Sequence, residues 1–277
     1  MALNRERHKV NGEFFYVKDG SLIILKGRAD DRDYLITEYG VNEGSPAKAR
    51  FRLKLDAADR LTGSWESIDG KQKLPVQLNE VARSNVIKLD PDKRDYYMAA
   101  RFPGLVPVGP PGKLNAFKQA IQGHFLNNIQ AMDKKWVKGE GLRSYEETAA
   151  IRYFSPDLVS LQVHKIQGGW LRPIHFYHGL NYQLVDGKVR ELKLSDLFDQ
   201  KTAWKRELPL LVGRVLPAVL SREKKEGHLI FLESVPKVID DLKLDLLEQF
   251  SVSPAGIEFH LPSIYSSPRN GSHHVTL

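Results

Sequence analysis

The chain contains no cysteine among its 277 residues. Disulfides, thiolate catalysis and cysteine-ligated zinc are therefore excluded. That absence suits the periplasm, where an unpaired thiol is a liability, and suits the cytosol equally. No run approaches the roughly 20 apolar residues that a membrane-spanning helix needs. Catalytic signatures are missing too. There is no G-x-S-x-G, no S-x-x-K with its supporting elements, no P-loop, no G-x-G-x-x-G after a strand, and no H-x-E or H-E-x-x-H. Adjacent acids such as Glu146-Glu147 and Asp240-Asp241 point different ways on a strand or helix and make poor acid–base pairs. No catalytic residue and no cofactor are expected.

What is present is ordinary globular material, with 42% hydrophobic and 27% charged residues. The net charge is +7, spread over both halves of the chain. A nucleic-acid binder concentrates its charge in a patch or arm. No basic run exceeds two residues, as at Lys134-Lys135 and Lys224-Lys225, so nucleic acid is not an expected partner.

The length suggests two domains. Residues 1–80 read as short strands joined by turns. Asp19-Gly20 and Asp69-Gly70 lie between β-prone runs, a hairpin signal because such turns need positive φ. Phe51, Leu53 and Leu55 alternate with Arg52 and Lys54, giving a strand with one wet face. Sequential hairpins predict an antiparallel β-meander, curved or partly closed into a barrel. Residues 81–112 carry Pro91, Pro103, Pro107, Pro110 and Pro111 and read as a linker or crossing. Residues 113–277 read as an α+β domain. Leu114, Phe117, Ile121, Phe125, Ile129, Met132 and Trp136 form one helical stripe, expected in the core. Three strands follow, at Tyr145–Phe154, Leu158–Ile166 and Ile174–Val185, and Asp186-Gly187-Lys188 turns the chain into a fourth. A helix from Thr202 should be broken or kinked at Pro209 and Pro217. Ser234 is expected to cap another, with Val235, Ile239, Leu242 and Leu246 as its apolar face. The fold class expected is α+β.

Several segments carry a family resemblance. They are Tyr153-Phe154-Ser155-Pro156-Asp157-Leu158-Val159-Ser160-Leu161, Gly168-Gly169, Leu180 to Lys188, Leu192 to Phe198, and Phe250 to Phe259. In this order they resemble the RsiV-like family, a bacterial domain found in a lysozyme-sensing anti-sigma factor and beside the catalytic domain of some peptidoglycan deacetylases. The resemblance covers about half to three-fifths of the chain. Where that family has a Gly-Gly-Ala-His-Pro turn, this chain has Gly168-Gly169-Trp170-Leu171-Arg172-Pro173, without the histidine. The segments Gly12–Tyr16, Ile24–Gly27 and Leu61–Trp65 resemble strands that precede this domain in Gram-negative envelope proteins. Those proteins are exported. The resemblance therefore implies a periplasmic or secreted protein whose leader is absent from this chain, which begins abruptly; a cytoplasmic location stays open.

Against this background the candidate binding residues are Trp170 and Arg172, in the turn the family keeps tight, with Tyr177 on the following strand. A tryptophan beside an arginine is a pairing common in binding hot spots. His164 and His175 are expected opposite each other on the outward face, with Gln162 and Tyr177 as the next pair. Adjacent imidazoles can hold Zn²⁺ or Cu²⁺, but a catalytic site needs a third ligand. His178, on the apolar face, is expected as a buried neutral imidazole. The function expected is a non-enzymatic cell-envelope binding module for a protein, lysozyme-like by the resemblance, or a peptidoglycan-type glycan. An enzyme acting on envelope polymers and an accessory subunit of an envelope complex are the competing readings.

Overall fold

The alternating pattern of the first eighty residues folds as an uninterrupted meander. Strands β1 (Ala2–Glu6), β2 (Lys9–Phe15), β3 (Leu22–Asp30), β4 (Asp33–Tyr39), β5 (Ala47–Leu55), β6 (Leu61–Ser67) and β7 (Lys73–Leu78) pair in chain order. Every neighbouring pair is antiparallel. The computed structural model describes residues 2–15, 22–40, 44–57, 60–80, 82–89, 96–106, 111–136, 144–168, 173–225, 244–262 and 272–277. The turn expected at Asp19-Gly20 and the helix expected from Ser234 lie outside them.

Alternation puts Val10, Ile23, Leu25, Ala29, Ile36, Phe51 and Leu53 on one face, where they form a buried core with Leu3, Tyr34, Leu61, Trp65, Val76 and Leu78 around it. The sheet curls into a half-barrel around these side chains. One carboxylate shares this interior. Glu38 is buried and accepts a hydrogen bond from the Trp65 indole Nε1 at 2.7 Å, as a buried polar group requires.

The chain divides into two compact units, Met1–Arg83 with Val106–Gly109, and Ser84–Leu105 with Pro110–Leu277. The proline-bearing stretch 81–112 includes two strands, β8 (Ala82–Lys88) and β9 (Tyr97–Leu105). They belong to a six-stranded sheet of order β13-β12-β11-β10-β9-β8, with β10 (Ser144–Phe154), β11 (Leu158–Gly168), β12 (Ile174–Val185) and β13 (Lys188–Glu191). β10 runs parallel to β9, and the chain crosses between them through helix α1 (Pro111–Trp136). β10 with β11, β11 with β12 and β12 with β13 pair antiparallel. Positive φ at Asp186 and Gly187 makes the tight turn into β13. The fold is α+β, as the sequence implies.

α1 buries the expected stripe, with Phe117, Ile121, Phe125 and Ile129 at most 1% exposed. Phe125 stacks on Phe102 of β9 at 4.9 Å between centroids. The opposite face of the sheet meets β14 (Phe250–Ser253), first strand of a three-stranded sheet completed by β15 (Gly256–Pro262) and β16 (Ser272–Thr276). Beyond that lie α2 (Trp204–Lys225) and the short α3 (Leu244–Leu247).

Of the break or kink expected at Pro209 and Pro217, the break does not occur. Both prolines lie inside α2, which runs through them. Each interior proline costs about 3 kcal/mol. Trp204, Leu208, Val212 and Leu216 recur every four residues and pack with Leu247, Phe250, Phe259, Leu261 and Val275 into one core. Burial of that face holds the helix together.

Candidate functional site

The α1-facing side of the six-stranded sheet carries an unexpected charge. Along β10 the inward positions are Tyr145, Glu147, Ala149 and Ile151; along β11 they are Val159, Leu161, Val163 and Lys165. Glu147 and Lys165 are cross-strand partners. The Lys165 ammonium lies 3.0 Å from Glu147 Oε1, and the Glu147 side chain is fully buried. Tyr145 donates its hydroxyl to Glu147 Oε1 at 2.6 Å, and Asn128 of α1 donates an amide N–H to the same oxygen at 3.1 Å. Asn128 also donates to His124 Nε2 at 3.1 Å, which requires that nitrogen to be unprotonated. The carboxylate is thus compensated by one cation and two neutral donors, the condition under which a buried charge is tolerated.

Lys165 carries this network to an open groove of about 460 Å³, lined by Lys165, Gln167, Phe176, Tyr177, His178, Asp245, Leu246, Gln249 and His260. His178 bridges network and groove, its ring 6.3 Å from that of His124. Burial pushes its imidazole down to about 4, and Lys165 and His124 act in the same direction. His124 is lowered by burial, with Glu147 opposing. Burial, reinforced by Glu147, raises the Tyr145 hydroxyl far above its ordinary value. Near neutrality the His124 and His178 imidazoles beside the Glu147–Lys165 pair are therefore neutral. The site's chemistry is that of a pre-oriented cation beside hydrogen-bonding and aromatic surface, suited to gripping a polar ligand.

The first half of β12 has an unusual surface. Leu180 and Tyr182 are buried, but Ile174 and Phe176 on the same face are 54% and 42% exposed. β13 pairs only with Tyr182–Val185, so among the described residues the opposite edge of Ile174–Leu180 has no strand partner.

The two candidate metal ligands are brought together. His164 Nε2 and His175 Nδ1 lie 3.0 Å apart with the rings nearly parallel. Their register differs from expectation by two residues. His164 faces Tyr177 directly, and His175 faces Ile166. A two-residue shift keeps every side chain on its face, so the imidazoles still meet, on the diagonal. Tyr177 stacks on His164 at 4.2 Å with 5° between planes. Burial and the neighbouring His175 lower the His164 imidazole; burial raises the Tyr177 hydroxyl. Among the described residues no group of three or more His, Cys, Asp or Glu converges on a metal-sized space. Trp170 and Arg172 lie outside the described residues.

A second polar layer joins the six-stranded sheet to β14 and β15. Ser160 donates to Asn181 Oδ1 at 2.6 Å and accepts from the Val252 N–H at 2.7 Å; Asn181 Nδ2 donates to the Phe250 carbonyl at 2.7 Å. Arg152 makes a two-pronged ion pair with Glu258, with side chains 11% and 8% exposed. Ser251 and His260 share a buried hydrogen bond of 2.9 Å.

The sequence patterns did not single out Glu147, Lys165, Asn128 or Arg152. The signal for two of them was available, since Glu147 and Lys165 continue the inward phase of their strands. Asn128 and Arg152 acquire meaning only from packing.

No family model matches the chain, that of the RsiV-like domain included, and no curated protein matches it. Solved structures that resemble it include two DUF3298 family proteins. One, from Bacteroides fragilis NCTC 9343, is 14% identical over 72% of this chain and 92% of its own, with a TM-score of 0.42. The other, from Pseudomonas aeruginosa PAO1, is 11% identical over 70% of this chain and 88% of its own, with a TM-score of 0.46. DUF3298 denotes a bacterial domain of unknown function. Among the described residues no helix is long and apolar enough to cross a membrane.

Proposed function

We propose that this chain is a non-enzymatic binding module of the bacterial cell envelope, and that its second unit takes a protein ligand along the start of β12. The observation that carries the reading is the exposure of Ile174 and Phe176 beside the groove of Lys165, Tyr177 and His178. Large apolar side chains exposed next to a polar-walled groove mark a recognition surface. In sequence, Trp170 and Arg172 fall in the connection between β11 and β12, and a tryptophan with an arginine is a pairing common in binding hot spots. The RsiV-like motifs supply the ligand class, a lysozyme-like protein, and the periplasmic or secreted location. Since animal-type lysozymes are basic and this chain carries +7, attraction must come from local rather than net charge.

The test is surface-immobilised full chain exposed separately to purified lysozyme and to sonicated peptidoglycan. The reading expects lysozyme binding that Trp170→Ala/Arg172→Ala and Ile174→Lys/Phe176→Lys each weaken at least tenfold. Peptidoglycan retention without lysozyme binding would replace the protein ligand by the glycan. Release of soluble fragments from peptidoglycan would replace the binding module by an enzyme. The His164–His175 pair is carried as a metal-ion candidate: Cu²⁺ titration of wild type against His175→Ala, read by the copper d–d absorption band, decides it.

A further inference from the structure

The outer face of the β1–β7 sheet carries a regular array of cations. Two rows run across the strands, fixed by register. In one, Lys26 of β3, Thr37 of β4, Arg50 of β5, Glu66 of β6 and Lys73 of β7 are successive neighbours. In the other, Lys9 of β2, Arg28 of β3, Leu35 of β4, Arg52 of β5 and Ser64 of β6 are neighbours. Lys9, Lys26, Arg28, Arg50, Arg52, Lys54 and Lys73 are all exposed. Arg28, Arg52 and Lys54 line an open groove of about 410 Å³ with Leu35 and Thr62. Among the described residues Arg28, Arg50, Lys54 and Lys73 have no ion-pair partner. Acids share this face. Glu6 is the cross-strand partner of Lys9, and Asp33 that of Lys54. Asp30 lies 3.2 Å from His8 and lines the groove with Asp33, and Glu66 reaches Arg52 at 4.0 Å. Arg28, paired with Lys9 and Leu35, has no acid as cross-strand partner.

The spacing of these charges selects the partner. Neighbouring strands lie about 4.8 Å apart, so Arg28 and Arg52, or Lys26, Arg50 and Lys73, recur on alternate strands about every 10 Å. An extended polysaccharide presents equivalent groups on one side once per disaccharide, a comparable period. A duplex nucleic acid carries one charge per about 1.7 Å of axis and would press phosphates against Glu66, which separates Arg50 from Lys73. A sparse polyanion spans that position. A flat lipid surface would touch the outside of a curled sheet along only a strip. A single strand can follow the curl and the groove. We propose that this face binds a linear acidic polysaccharide carrying about one anion per disaccharide, laid across the strands over Leu35 and Thr37.

The probe is a hyaluronate oligosaccharide, with one carboxylate per disaccharide, titrated into the full chain and followed by calorimetry. Binding is expected at low salt and should be lost near 0.5 M, where the screening length, about 4 Å, is well below the charge spacing. Dextran, being neutral, should not bind. Arg28→Ala/Arg52→Ala should weaken hyaluronate about tenfold, the sum of two modest exposed ionic contacts. Arg28→Lys/Arg52→Lys should retain most of the affinity, and Lys201→Gln, a cation of the second unit, should change nothing. All three side chains, Arg28, Arg52 and Lys201, lie at the surface, and unchanged circular dichroism confirms folding. Absence of hyaluronate binding at low salt overturns the proposal. So does equal binding by Arg28→Ala/Arg52→Ala. Tighter binding to phosphatidylglycerol vesicles or duplex DNA than to hyaluronate overturns the choice of partner.

Discussion

Acidification should loosen the second unit, and His178 should account for a defined part of the loss. In the native state its imidazole is held down to about 4 by burial, with Lys165 and His124 adding to it. In the unfolded chain it returns to about 6.5. Between those values the unfolded state binds a proton that the native state refuses, so stability falls as pH drops from about 6.5 to about 4 and levels off below. The shift of about 2.5 units, at 1.36 kcal/mol each, amounts to about 3 kcal/mol, of which about 2.5 is lost by pH 4.5. His124 and His164 are lowered too and contribute in the same direction. His178→Gln removes one titrating group and leaves the others. Amide hydrogen exchange of the β11 and β12 peptides gives the opening free energy of this unit alone. Comparing each protein with itself at about pH 7 and 4.5 cancels any pH-independent cost of the substitution. The wild type should lose about 2 kcal/mol more than His178→Gln on acidification. An equal loss in both proteins would show that His178 is protonated at little cost, and the burial argument would fail.

Two further substitutions test the polar layers. Lys165→Met leaves the buried Glu147 carboxylate with only neutral donors and should cost about 3 kcal/mol in urea denaturation; adding Glu147→Leu should recover most of it, because an apolar pair needs no compensation. On the other face, Ser160→Ala strands the Val252 N–H and should cost about 1–3 kcal/mol. Gly179→Ala is predicted to be worse, since its new Cβ would fall 1.4 Å from the Phe250 carbonyl oxygen. It should raise exchange of the β14 amides before those of β10.

Patterns of period two and 3.6 made most of the architecture legible. Strand faces, the α1 stripe and the Asp186-Gly187 turn follow from short-range sterics and apolar spacing, which a sequence carries directly. The same period placed His164 and His175 on one face, and a two-residue error in register left that placement intact. Proline rules allowed a break in α2 that does not occur, because they price the local cost at Pro209 and Pro217 but not the burial of Trp204, Leu208, Val212 and Leu216 on a distant sheet. Glu147 was legible as a carboxylate in an inward phase, yet only the approach of Lys165, Tyr145 and Asn128 makes it a paired, buried charge. The cation rows of the first unit show the same division. Alternation determined that Arg52 and Lys54 face water. Strand order and register decided that Arg28 and Arg52 flank Leu35, because long-range pairing depends on the free energy of the whole sheet and leaves no local mark on the chain.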